Sequence, residues 1–422
     1  MSSRSTLNGL NGLNGLNGLN GLNGLNGLNG LNGLNGLNGL NGLGGLIGAG
    51  GSIAAPAALL TTHDAISGPW KRPAILPREP EFDKPENLKL WGPEFRASVL
   101  DASLFTDLAF VAGHHKKLVM YTTEWKNGRH GPTCHRKPII GIRAPRLDYF
   151  LYKQLDLVAC YAALRADRMH EIIAQLVVPM SFISSIVYLS DVRTPRTIEL
   201  LMTAFRLAVF AEMRFKHAFA TPRPIDFSPQ IQPIIPTPLH SAFPSGHATE
   251  IFAMARVLSR LLEYAGGNFS APEWKKQLMR LAHRVAVNRT VAGVHFPIDS
   301  VAGCTLGLVL GDYLIARCVG TARHDWTLDG RAFADKTQDH DFQWRPLEEH
   351  ISSGESAPQL GLSKHKEHET DADPRLAWLW GQALKEWQDL YPDYAVGEAA
   401  AGDQDGDGDE PYQDGDDAGS GS

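Results

Sequence analysis

Along the middle of the chain apolar positions recur every three or four residues and strict alternation is scarce, a rhythm that predicts helices. Arg146 to Leu176 carries apolar residues on one face and charges on the other. Pro179 is expected to kink or end that helix. Thr194-Pro195 reads as an N-cap followed by proline at the first helical position, opening a long helix from about Arg196 to Phe219. Pro222 and Pro224 must close it, which puts Lys216 in its last turns and Arg223 in extended chain just beyond. Four prolines between Asp226 and Phe243 predict a loop. A helix is expected from Ser245-Gly246-His247 to about Tyr264, stopped by Ala265-Gly266-Gly267. Ala271-Pro272-Glu273 opens another to about Val291. After a turn over Gly293 to Pro297, Ile298 to Cys318 forms the next. Residues 321 to 374 read as polar and irregular, and Arg375 to Leu390 as a final amphipathic helix carrying Trp378, Trp380 and Trp387. The fold class expected is all-α, a helix-bundle core.

Both ends depart from this rhythm. Residues 7 to 42 are twelve copies of Leu-Asn-Gly, a period that suits neither helix stripe nor strand. Residues 1–60 are therefore expected to be a disordered low-complexity repeat and linker. Glu398 to Ser422 holds nine acids and no Lys or Arg, so 395–422 reads as a solvated acidic tail. Its Asp403-x-Asp405-x-Asp407-Gly408 resembles the start of a calcium loop, but no helix can follow it. That leaves 85–394 as the helical domain, enough for one large or two ordinary cores.

The 422-residue chain has a net charge of -6, and removing the acidic tail leaves about +3 on the rest. This balance gives no support for nucleic-acid binding. Of the four cysteines, Cys160, Cys304 and Cys318 lie in apolar stretches and are expected as buried thiols; together with Cys134 they show no metal spacing. Ile172 to Leu189 and Val301 to Ile315 are the most apolar runs. Both hold polar residues and read as buried core helices, not membrane spans. With no signal-peptide pattern at the N-terminus, a soluble, cytoplasmic protein is expected. Gly113-His114-His115-Lys116-Lys117 reads as an exposed surface cluster.

Three short clusters carry the candidate chemistry: Lys216 to Arg223-Pro224, Pro244-Ser245-Gly246-His247, and Arg289, His295 and Asp299. Ser245 to His247 falls where loop becomes helix, and a first helical turn offers free N–H groups to an anion. Gly246 permits close backbone approach, Ser245 adds a hydroxyl, and Lys216, Arg223 and Arg289 add fixed charge. Cations converging in this way imply a strongly charged ligand between them. His247 and His295 can divide general acid-base work from nucleophile or metal-ligand work, and Asp299 can reach back to orient His295.

Lys216-x6-Arg223-Pro224, Pro244-Ser245-Gly246-His247 and Arg289-x5-His295-x3-Asp299 together resemble the three-part signature of the superfamily of vanadium-dependent haloperoxidases and type 2 phosphatidic acid phosphatases. The departure is Asn288, where serine is usual. The resemblance implies a vanadate cofactor with His295 as its protein ligand and Lys216, Arg223, Ser245, Gly246 and Arg289 around its oxygens. His247 would serve as acid-base catalyst, and the reactants would be hydrogen peroxide, halide and a small organic acceptor. In the phosphatase alternative a phosphate-like oxyanion takes the same pocket, His295 forms a phosphohistidine, and His247 protonates the leaving oxygen. His240, five residues before Ser245, resembles the second pocket imidazole of bromide-oxidising members. On that residue the haloperoxidase, with bromide or iodide preferred, is the first expectation and a soluble phosphomonoesterase the second. A non-enzymatic oxyanion-binding protein would not need two imidazoles. The resemblance is compatible with a homo-oligomer.

Overall fold

The computed structural model describes residues 54–75, 79–128, 131–337 and 339–390. The Leu-Asn-Gly repeat and the acidic tail, with its calcium-loop-like run, lie outside the described residues. Helices α1 (Ala54–Ile66) and α2 (Pro93–Phe105) come first. A meander of β1 (Leu108–Gly113), β2 (Lys117–Gly128) and β3 (Gly131–Arg143) follows. Short helical pieces from Leu147 lead into α3 (Arg165–Ala174). The bundle proper is α4 (Pro195–Phe219), α5 (Gly246–Ala265), α6 (Pro272–Val291) and α7 (Pro297–Val319). Then come β4 (Arg323–Asp329), α8 (Trp344–Ser353), β5 (Leu362–His368) and α9 (Pro374–Leu390).

The five strands form one sheet in the order β1-β2-β3-β4-β5. All neighbours run antiparallel except β3 and β4, which are parallel, with Ile140 opposite Trp326 and Ile142 opposite Leu328. A parallel pair needs a long crossover. Here the crossover is the whole bundle, residues 144 to 322, so the sheet closes the two ends of the bundle against each other. The expected all-α class is therefore corrected to a helix bundle with a mixed five-stranded sheet. The strands escaped notice for physical reasons. In β2 the inward residues Leu118, Met120 and Thr122 are buried, but Val119 and Tyr121 on the other face are also apolar, which blurs the alternation. In β3, Gly131, Pro132 and Pro138 carry loop chemistry. Pro138 is tolerated because pairing to β4 begins only at Ile140, and a register shift occurs at the facing Met120/Tyr121. Strand β4 and strand β5 are polar, so 323–329 and 362–368 were lost in a stretch read as irregular.

The core sits where α5 packs against α4, α6, α7 and α9. Helix α7 is long and apolar enough to cross a membrane by composition, but 94% of its apolar window is buried inside the protein. Small residues explain its close approach to α5: a Cβ at Gly303 would come within 2.6 Å of the Ser245 carbonyl, and one at Gly307 within 2.4 Å of the Thr249 carbonyl. Two local expectations change. Residues 172–189 do not form one core helix; α3 ends at Ala174 and a short helix, Met180–Ser184, follows Pro179. Cys160 is exposed, whereas Cys304 and Cys318 are buried. The α4 start is capped from a distance. Thr194 makes no side-chain cap, and the Glu386 carboxylate of α9 accepts from the N–H groups of Arg196 (2.6 Å) and Thr197 (2.8 Å). The His114 to Lys116 cluster is the exposed hairpin turn between β1 and β2.

Candidate active site

Four helix ends and two loops meet at one small cavity. Its volume is about 30 Å³, more than the ~10–15 Å³ a single water needs. Helix α4 brings Glu212, the proline loop brings His240, and the start of α5 brings Gly246, His247 and Glu250; Lys216, Arg223, Ser245 and Asp299 are buried but do not line the cavity. The end of α6 brings Arg289, and the turn before α7 brings His295. Prolines hold the ends in register. Arg223-Pro224-Ile225-Asp226 and Phe296-Pro297-Ile298-Asp299 share one device: proline opens a helix and the aspartate two positions later accepts the N–H of the residue before the proline. The distances are 2.7 Å for Asp226 to Arg223 N and 2.9 Å for Asp299 to Phe296 N. The proline loop is clamped by Arg165, which donates to the carbonyls of Val291, Gln232 and Ile231.

His295 is fixed on both ring nitrogens. Nδ1–H donates to Asp299 Oδ2 at 2.9 Å, which leaves the lone pair on Nε2, where Arg223 Nη1 donates at 3.0 Å. Burial first, then the charges of Arg223 and Lys216, holds its pKa well below the usual imidazole value, so the ring stays neutral. Burial pushes the Asp299 carboxyl up to about 7, against the Phe296 N–H, Arg223 and Lys216. His247 Nε2–H donates to the Gln175 carbonyl at 3.0 Å. Burial and Arg289 hold this imidazole well below its ordinary value too. His240 is half-buried and lines the cavity. Arg223 Nη2 donates to its Nδ1 at 3.1 Å, and Arg223 Nε donates to its carbonyl at 2.9 Å.

The cations are partly engaged. Lys216 Nζ donates to the carbonyls of Ser241, Ala242 and Pro244, and burial pushes it down to about 8. Burial likewise brings Arg223 and Arg289 down to about 10. Arg289 Nη2 donates to the Ile172 carbonyl at 3.1 Å, while its Nε and Nη1 are buried without hydrogen-bond partners. Ser245 Oγ is in the same condition, because Ser245 caps α5 by position only. These orphan donors, beside a helix start with glycine at its first residue, fit a tetrahedral oxyanion.

The sequence reading did not include Glu212 and Glu250, two buried carboxyls that line the cavity. Burial raises Glu212 to about 7 and Glu250 well above the usual carboxylate range, so the converging cations have titratable carboxyls beside them. Glu212 stands four residues before Lys216 on one helix face, a spacing that was available in the sequence. Gln175 had no such signal. Asn288, in the position where serine was expected, is buried; its amide donates to Gln175 Oε1 at 2.9 Å and accepts from Arg168 at 3.3 Å. It thus steers the residue that holds His247.

The helix ends of the bundle thus converge on a set of donors that suits a tetrahedral oxyanion, beside one histidine anchored by an aspartate. Residues 198–323 match the family model of the PAP2 superfamily, which supports membership of that superfamily. The match spans every signature residue from Lys216 to Asp299. No curated protein matches the chain.

Proposed function

We propose that this protein is a vanadate-dependent haloperoxidase that uses hydrogen peroxide to oxidise bromide or iodide to hypohalous acid. The observation that carries the choice is His240. A solvent-facing loop histidine would need no partner, whereas this ring lines the cavity and is held by the same guanidinium that touches His295. Ser245 Oγ, the Arg289 nitrogens and the Gly246 cradle fit the cofactor's oxygens, with Lys216 and Arg223 beside them; His295 Nε2 would be the protein ligand once Arg223 Nη1 releases it and turns to an oxygen of the anion. Bound vanadate would supply Lewis-acid activation of peroxide without changing oxidation state. His295 is kept in the competent tautomer by Asp299. His247 holds or moves a proton, since its Nε2–H is tied to Gln175 and the lone pair is left on Nδ1. His240, with its Nδ1 accepting from Arg223, presents an N–H at Nε2.

A soluble phosphomonoesterase is the second reading, favoured by the His295–Asp299 pair, which would serve a phosphohistidine equally well. The test divides purified protein. One portion receives orthovanadate, then peroxide, bromide and a phenol-type acceptor; the other stays metal-free and receives a phosphate monoester. Vanadate-dependent halogenation suppressed by phosphate is the expected result. Ester hydrolysis inhibited by vanadate, without halogenation, would replace the proposal with the phosphatase.

A further inference from the structure

Glu212 lies against Gly246, the first residue of α5, and a helix start is where an anion can be held. A Cβ built on Gly246 would lie 2.5 Å from Glu212 Oε1 and 2.9 Å from Oε2. The carboxyl is 1% exposed, it lines the cavity, and its Oε2 has no hydrogen-bond partner. Around it stand Lys216 on the same helix, Arg223 beyond that helix, and Glu250 across the cavity on α5. Arg289 from α6 faces Glu250. A second acidic oxygen set into an anion cradle would be a defect if the ligand could only accept hydrogen bonds. It becomes useful if one proton lies between carboxyl and ligand.

We infer that Glu212 is a specificity-determining residue of this pocket: it shares one proton with the bound tetrahedral anion, so the site favours oxyanions that carry an O–H over sulfate. The inference rests on the oxyanion pocket proposed above. When Glu212 is ionised it accepts from a protonated phosphate or vanadate and repels sulfate, whose four oxygens accept only. When it is neutral it donates, and either anion can bind. Burial lifts this carboxyl to about 7 against the pull of Lys216 and Arg223, which places the change within an accessible range.

The experiment is calorimetric titration of metal-free, full-length protein with inorganic phosphate and with sulfate, at about pH 6 and about pH 8, a span that brackets the carboxyl's titration. The readout is the ratio of the two affinities. Lys216 loses charge over the same span, Asp299 is also raised to about 7, and phosphate itself gives up a proton near pH 7, so the carboxyl is isolated by comparing the pH change of the ratio in the wild type with that in Glu212→Gln. The expected result is a sulfate-to-phosphate ratio that falls about tenfold or more on raising the pH. In Glu212→Gln the amide always has a donor, so the ratio falls clearly less than in the wild type and sulfate binds at the higher pH. A flat ratio in the wild type overturns the inference whether or not the variant folds. A variant that keeps the wild-type pH dependence also overturns it and moves the role to Glu250. If neither anion binds the wild type at either pH, the pocket itself is misassigned and both readings fall.

Discussion

Replacing Asp299 by Asn tests the site at its most constrained atom. Asp299 Oδ2 accepts two bonds of 2.9 Å, from His295 Nδ1–H and from the Phe296 backbone N–H. An amide has one acceptor and one donor end. With its oxygen in the place of Oδ2 the amide still accepts from both the His295 Nδ1–H and the Phe296 N–H, and its NH2 takes the place of Oδ1, a buried oxygen without a hydrogen-bond partner. The tautomer is then kept, but a neutral amide oxygen accepts more weakly than a carboxylate, by about 1–2 kcal/mol. Turnover should fall by roughly 5- to 30-fold if the carboxylate's charge supports His295. Stability should change less, because the desolvation that lifts Asp299 is removed with its charge. The assay is turnover at saturating vanadate and peroxide, or with a phosphate ester, beside a urea melt that reports the fold. Undiminished turnover in folded Asp299→Asn would show that His295 draws no support from the charge of this carboxylate.

Other expectations follow from the same geometry. His240→Ala should lower bromide oxidation by more than it lowers vanadate affinity, measured by equilibrium binding beside turnover; equal losses would reduce His240 to a support for Arg223. Gly246→Ala places a methyl 2.5 Å from Glu212 Oε1 and should abolish detectable phosphate binding in calorimetry; unchanged binding would exclude this helix start from the cradle. Asp101→Ala strands Arg206, whose Nε lies 2.9 Å from both carboxylate oxygens in the core, and should cost about 3–5 kcal/mol in urea unfolding; a loss below about 1 kcal/mol would place the pair among weak surface bridges. Glu212 is raised from 4.5 to about 7, so the proton it holds stabilises the fold fully below 4.5, and that contribution is lost as pH rises through 7. Glu212→Gln should therefore flatten the fall in melting temperature across that window in phosphate-free buffer, and an unaltered slope would assign it to Asp299 or Glu250.

Much of the site was legible because its residues mark the ends of elements. Pro195, Pro272 and Pro297 stand at helix starts and Gly266 at a stop, so the chain's own punctuation placed α4 to α7 within a residue or two. The repeated Pro-Ile-Asp device then put Arg223 and Asp299 at their loop-helix junctions. Glu212 was passed over for the opposite reason. Glu-x3-Lys on a helix is usually a solvated pair, and only the packing of α5 against α4 shows that this one is buried. The sheet was missed where its signals contradict each other: apolar residues on both faces of β2, prolines in β3, and polar β4 and β5, of which β4 meets its partner β3 only across the intervening bundle, residues 144 to 322. Register across such a distance is a tertiary fact with no local trace.

The anion cradle is made of groups that burial opposes. Lys216, Arg223 and Arg289 are all pushed down, Glu212 and Asp299 are pushed up, and Ser245 Oγ with two Arg289 nitrogens has no partner. Such an arrangement persists only if the surrounding structure over-determines it. The anchors are remote from the chemistry: Glu386 caps α4, Arg165 ties two carbonyls of the proline loop to the end of α6, and the Arg206–Asp101 pair fastens α4 to α2. Each fixes the angle at which a helix end enters the pocket. A tetrahedral anion would satisfy the orphan donors in one step, so ligand binding and rigidity of the bundle are two sides of one equilibrium. Damage to a distant anchor should accordingly appear first as weakened anion binding, before the bundle itself gives way.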